Sequence, residues 1–130
     1  MSDAANVKHW QTLSFRDADA MMRWLSAIGF TEHATYRDEA DPAVVAHAEW
    51  LWPGGGGVMF GSERPDGVVK NTGGSAAYLV TDDPDAVFDK AVEAGATVIR
   101  AMVDQDYGGR GGSVEDPEGN HWSFGSYQPS

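Results

Sequence analysis

Cysteine is absent from this 130-residue chain, which removes disulfides, thiolate catalysis and zinc–sulfur sites together. No apolar run approaches the roughly 18 residues a transmembrane helix needs, so no membrane span is expected. The opening "MSDAANVKHW" lacks the basic start and apolar stretch of a secretory leader, and a soluble, cytoplasmic protein is the expectation. Basic residues are scarce: 9 Lys and Arg stand against 20 Asp and Glu, a net charge of -11. That balance argues against nucleic acid, whose phosphates require a basic surface. It either attracts cationic partners or serves solubility alone. There is no G-x-S-x-G elbow and no dinucleotide fingerprint after a strand, so neither chemistry has a local signature.

What the chain does contain is apolar residues (42%) and five Trp, enough for a real core and for large, stiff stacking surfaces. It also repeats itself. "LWPGGGGVMFGS" (Leu51 to Ser62) and "EDPEGNHWSFGS" (Glu115 to Ser126) both run from a Pro, through Gly, to Phe-Gly-Ser. "DADAMMRWLSAIGF" (Asp17 to Phe30) aligns with "DPDAVFDKAVEAGA" (Asp83 to Ala96) at a constant offset of 66 residues. Each reads as an amphipathic helix with Asp near its start and Gly just past its end. Met22, Leu25 and Ile28 form one apolar stripe, and Val87, Ala91 and Val92 the other.

"WQTLSF" and "AAYLVT" read as strands before the helices. "HATYRD", "VVAHAEWLW" and "GVMFGS" follow the first helix; "TVIRAMV", the glycine-rich "GRGGSVED" and "NHWSFGSY" follow the second. Each half therefore reads strand, helix, strand, strand, strand. The expected fold is α/β (α+β), two paired βαβββ modules whose open, curved mixed sheet surrounds a groove, because a lone module leaves one sheet face uncovered. A single domain over residues 1–130 is expected, with modules at about 7–62 and 75–127 and a linker at about 63–74.

"LSFRDADAMMRWLSAIGF", "YLVTDDPDAVFDKAVEAGATV" and "DYGGRGGSVEDPEGNHWSFGSY" together resemble the vicinal oxygen chelate superfamily. That superfamily includes glyoxalase I, extradiol dioxygenases, fosfomycin-resistance enzymes and bleomycin-resistance proteins. The resemblance spans about Trp10 to Tyr127 and implies a fold more firmly than a function. It places the metal ligands of its metalloenzymes seven residues before each helix-start Asp and four residues after the Gly of the DPxG turn. Here those positions are Trp10, Met59, Ala76 and Ser123, none of them a usual ligand for a hard divalent cation. No metal or other cofactor is expected at this set.

A slip of one residue would put His9 where Trp10 stands. Leu13 and Phe15, as helix-facing residues, anchor the register and put Trp10, Thr12 and Ser14 on the open face. On the last strand Trp122 and Phe124 should face the helix, leaving His121, Ser123 and Gly125 on the open side. His121 is either an acid/base group or an exposed edge residue. His47 and Glu49 share one strand face, as metal ligands, an acid/base pair or a solvated pair. Trp50 and Trp52 share the other, as core or as stacking plates. Tyr107 lies in a loop that, by the resemblance, borders the ligand groove. Arg110 there pairs with an anionic ligand or, by preference, with Asp116. Gly54 to Gly57 read as a tight hairpin, since no Lys-Ser/Thr and helix follow.

The functional expectation is a metal-independent small-molecule binding protein that sequesters an aromatic or cationic ligand, as in the bleomycin-resistance branch. Its ligand-binding residues are Trp10, Thr12, Ser14, Met59, Tyr78, Tyr107, His121 and Ser123. The alternative is a metal-dependent glyoxalase-like lyase, isomerase or dioxygenase with displaced ligands drawn from His9, His47, Glu49 and His121; a third is a metal-free enzyme with His121 as acid/base. A homodimer is expected, because open sheet edges need covering.

Overall fold

The repeat in the sequence is a repeat in the backbone. The computed structural model describes residues 3–65 and 72–129, and the chain divides into two compact units, Met1–Gly73 and Gly74–Ser130. Half of the expected linker falls on residues 66–71, outside the described residues. After a short 3-10 turn at Asp3–Asn6, the first unit runs β1 (Trp10–Phe15), α1 (Ala18–Ile28), β2 (Thr31–Arg37), β3 (Val45–Leu51) and β4 (Gly57–Ser62). The second runs β5 (Ala76–Val80), α2 (Pro84–Glu93), β6 (Thr97–Asp104), β7 (Arg110–Glu115) and β8 (His121–Gly125). Each unit holds an open four-stranded sheet, ordered β1-β4-β3-β2 or β5-β8-β7-β6. The β1–β4 and β5–β8 pairs are parallel and the others antiparallel, so both sheets are mixed and the fold is α+β.

Identical devices end both helices. The Asp17 and Asp83 carboxylates accept the Ala20 and Ala86 amides at 3.0 and 3.1 Å, satisfying amides that the helix cannot pair itself. At the other end Gly29 and Gly95 adopt φ of 123° and 121°, which L side chains avoid. Phe30 N–H then bonds Leu25 O, and Ala96 N–H bonds Ala91 O, both at 3.0 Å. This is the Schellman closure that a glycine just past a helix permits.

Leu13 and Phe15 are buried in the first unit, Phe15 against Phe60 with ring centroids 5.1 Å apart. The expected register of β1 therefore holds. Met21, Met22, Trp24, Leu25 and Ile28 of α1 join this core. Trp50 and Trp52 belong to it as well, Trp50 against Phe60 and Trp52 against Phe30, so they are core and not stacking plates. In the second unit Trp122 and Phe124 are fully buried, as expected. Its helix differs from expectation. Of the Val87, Ala91 and Val92 stripe only Ala91 is buried, and Val92 is 36% exposed. Val92 stands about 100° round the helix from Ala91, and the buried face of α2 is too narrow to take in both, unlike that of α1, which buries the adjacent Trp24 and Leu25.

Both DPxG-type turns close with the same two backbone bonds. Trp52 N–H bonds Gly56 O and Gly55 N–H bonds Trp52 O; Asp116 N–H bonds Asn120 O and Gly119 N–H bonds Asp116 O. The glycine run is thus a hairpin. The fillings differ: Trp52 inserts an indole, whereas the buried Asp116 carboxylate accepts Glu118 N–H, Asn120 N–H, Asn120 Nδ2 and Trp122 Nε1 at 2.8–3.0 Å.

Candidate functional site

Strand alternation leaves one face of each sheet free of the core residues. In the first unit that face carries Trp10, Thr12 and Ser14 of β1, Gly57 and Met59 of β4, and His47, Glu49 and Leu51 of β3. The ladder sets Thr12 beside Met59 and Met59 beside Glu49. Trp10 is half-buried, its ring lying against Gly57 where any Cβ would overlap it; glycine there is what lets the indole lie flat on the sheet. Ser14 is buried and Thr12 exposed.

Glu49 gathers two histidines. Its Oε2 is 2.8 Å from His47 Nε2, and its Oε1 is 4.0 Å from His33 Nε2. Tyr36 stacks on the His47 ring at 6.3 Å. A carboxylate hydrogen-bonded to an imidazole is an arrangement that can move a proton. His33 is a residue that sequence reasoning missed, because the irregular β2–β3 register between Glu32 and Ala34 brings it to Glu49.

In the second unit Tyr78, Ser123 and Ser113 lie side by side on the open face. The two serine hydroxyls are 2.7 Å apart. Tyr78 covers Gly125, and its hydroxyl donates to Tyr127 O at 2.9 Å. Partial burial pushes its phenol above the ordinary value, and nearby Tyr107 adds to the effect. Tyr107 is 64% exposed and meets Tyr127 edge-on at 5.0 Å. Arg110 makes the structural pairing that was expected, but with other partners. Its Nε and Nη2 donate to Asp85 at 2.9 Å and its Nη1 to Asp104 at 3.1 Å, while Asp116 is filled by amide and indole donors. These bonds hold the Asp85 carboxyl below the usual carboxylate range and raise the guanidinium.

The expected ligand-binding residues therefore fall in two groups. Trp10, Thr12, Ser14 and Met59 share the first unit's face, and Tyr78, Tyr107 and Ser123 gather on the second's, where Ser113 joins them. His121 stands apart from the latter at the start of β8, exposed, with Nε2 3.4 Å from Glu115 Oε1. It belongs to the other unit from His47 and Glu49. His9 is also exposed. It lines, with Lys8, Leu51, Trp52 and Gly54 to Gly56, a hollow of about 550 Å³ at the strand ends of the first unit. That hollow is the larger of the two cavities described and holds none of the ligand-binding residues expected from the sequence. The smaller one, in the second unit, holds Tyr78, Tyr107 and Ser123.

The positions that would hold a superfamily metal do lie on the open faces. Trp10 and Met59 sit diagonally across β1 and β4, and Ala76 and Ser123 across β5 and β8. An indole, a thioether, a methyl and a hydroxyl do not suit a divalent cation, so this donor set does not fit one. Among the described residues no group of three His, Asp or Glu is placed to hold a metal either, and no helix is long and apolar enough to cross a membrane.

Comparison with known proteins agrees with this fold. TioX from Micromonospora sp. ML1 superposes with a TM-score of 0.71 at 25% identity, over 92% of this chain and 99% of that one. A bleomycin-binding protein solved in complex with bleomycin superposes at 0.61, with 16% identity, over 93% and 98%. Among curated sequences, an uncharacterized protein of Mycobacterium bovis is 52% identical over 48 residues, which is 37% of this chain and 32% of that protein. The match thus spans about a third of that relative's length. The sequence model of the Glyoxalase/Bleomycin resistance protein/Dioxygenase superfamily matches residues 8–124, and the chain belongs to that family.

Proposed function

We propose that this protein is a metal-independent binding protein that holds a small aromatic or cationic molecule on its open sheet faces. The observation that carries the reading is the composition of the four metal positions, Trp10, Met59, Ala76 and Ser123, which supply a stacking and hydroxyl surface in place of ligands. Trp10 provides the aromatic seat. Glu49, beside Met59 on the same face, and the net charge of -11 favour a cation. Likeness to a protein that binds bleomycin supports the fold's suitability for such a role.

Quenching of Trp fluorescence by planar cations and bleomycin-type glycopeptides tests this, with glutathione adducts as the anionic control. Trp10→Ala should weaken binding by roughly one to two orders of magnitude, the sum of stacking and cation–π contributions. Equal binding by Trp10→Ala would remove the reading. So would stoichiometric metal retained through gel filtration.

A second reading rests on the 2.8 Å His47–Glu49 pair, which suits a metal-free acid/base enzyme of the lyase or isomerase type. It requires turnover of a substrate that His47→Gln abolishes with binding retained. We also propose a homodimer. The edge strand β6 exposes Val98, Ile99 and Val103, an apolar edge of the kind that pairing covers. Light scattering should give twice the 14.0 kDa monomer mass; the monomer mass across micromolar concentrations would refute it.

A further inference from the structure

The second unit contains a cavity of about 90 Å³ that the aromatic seat leaves unused. At ~30 Å³ per water it holds about three waters, the size of a carboxylate or phosphate group rather than a ring. Among the described residues its walls include Arg100, Gln105, Tyr107, Ser113 and Ser123 and no Asp or Glu, in a chain that has 20 acidic residues. Of its two arginines, Arg110 is committed to Asp85 and Asp104. Among the described residues, no carboxylate reaches the Arg100 guanidinium.

The backbone singles out the same residue. The β6–β7 ladder is irregular on both sides of Arg100, between Val98 and Arg100 and again between Arg100 and Val103. Bulges of this kind re-aim a side chain and recur beside binding sites. In register, Arg100 lies opposite Ser113, and Ser113 opposite Ser123. The serine hydroxyls are 2.7 Å apart. One proton serves that bond, and the other is left to donate outward. The Gln105 amide nitrogen, which lies against Gly111, adds a neutral donor.

We propose that Arg100, the Ser113–Ser123 pair and Gln105 form a subsite for a small anionic group, a carboxylate or a phosphate, carried by the ligand of this protein. A guanidinium presents two parallel N–H donors that match two oxygens of either group, and no carboxylate among the described residues competes for them. The subsite goes beyond the aromatic reading, because it stands whether or not Trp10 stacks a ring.

The test is titration of the ¹⁵N-labelled full chain with inorganic phosphate, acetate and benzoate at constant ionic strength, with tetramethylammonium chloride as the cation control. The expected result is saturable shifts of the Gly112, Ser113 and Ser123 amides together with Arg100 Nε–H. Affinity should fall roughly tenfold or more in Arg100→Gln, the scale of a lost charge-assisted bond, and recover in part in Arg100→Lys. Arg100 is exposed, so both variants should keep the wild-type amide spectrum elsewhere. Trp10→Ala should leave these shifts unchanged, which separates failure of this subsite from failure of the aromatic seat. Response to phosphate alone, or to the carboxylates alone, supports the subsite and selects its ligand. Shifts spread evenly over the Lys and Arg residues, no saturable shift with any probe, or undiminished affinity in Arg100→Gln would each overturn it.

Discussion

The two units share a frame and differ in what fills it. At the offset of 66 residues, Trp24 corresponds to Lys90, Leu25 to Ala91 and Phe30 to Ala96. The helices begin on the same Asp cap and end in the same Schellman closure. Yet α1 buries Met21, Met22, Trp24, Leu25 and Ile28, whereas α2 buries only Pro84 and Ala91. The lesson is that caps and turns specify this topology, while the amount of apolar surface under the helix is free to vary. Local signals that agree with the fold are what a module needs in common; packing then sets how stable each copy is.

The largest expected effect lies where the copies differ most. Trp24→Ala should destabilise the protein by about 3–5 kcal/mol, since it opens a cavity in a closed core. Lys90→Ala, at the equivalent exposed site, should stay within about 0.5 kcal/mol. Chemical denaturation measures both. Amide exchange should also be faster in α2 than in α1, because fewer buried contacts oppose its local opening. Similar costs for the two substitutions, or equal protection of the two helices, would break the comparison.

Next come the two hairpin turns, which share backbone bonds but not contents. Asp116→Ala strands four buried donors, and at 1–3 kcal/mol for an unsatisfied buried group, with imperfect additivity, the loss should be roughly 3 kcal/mol or more. Conservative changes sharpen the contrast. Trp52→Phe keeps an aromatic ring near Phe30 and should cost less than about 1.5 kcal/mol. Asp116→Asn turns an NH₂ group toward N–H donors and should cost more. Were Asp116→Asn the milder of the two, the carboxylate would not be the anchor of its turn.

Much of this frame was legible in the sequence, because Asp-to-Gly spacing and strand alternation are local signals. The alternation of Leu13 and Phe15 placed Trp10 on the open face without any knowledge of its neighbours. What stayed illegible depended on partners distant in the chain. The side taken by Trp50 and Trp52 is decided by ladder contacts with β4 and by Phe30 and Phe60, not by period. Asp85, the partner of Arg110, lies 25 residues away and outcompetes the nearer Asp116, whose oxygens already accept N–H donors. Arg100 was missed because its aim comes from two ladder irregularities. The one sequence signal for it was a charge embedded in the apolar strand "TVIRAMV".

The smallest expected effect concerns a pairing that both units make by different routes. Asp19 and Asp85 are equivalent first-turn residues of α1 and α2. Asp19 is bound by Arg37 from the end of β2, with contacts of 2.6 and 3.3 Å, and Asp85 by Arg110 from the start of β7, at 2.9 Å twice. In each case the arginine hydrogen bonds lower the carboxyl pKa, against a smaller opposing contribution from burial. A carboxyl depressed in the folded state adds stability that is present above its unfolded value near ~3.9. That stability is lost as pH falls through the folded value. Both pairs are substantially exposed, so the contribution should be small and screened by salt. Carboxyl ¹³C shifts followed from pH 6 to pH 2 should show both aspartates titrating below ~3.9. Arg110→Gln should return Asp85 toward that value and leave Asp19 unmoved, and Arg37→Gln should do the reverse. If either variant moved both aspartates, the two clamps would not be independent. If neither moved its own partner, the short distances would reflect geometry without electrostatic consequence.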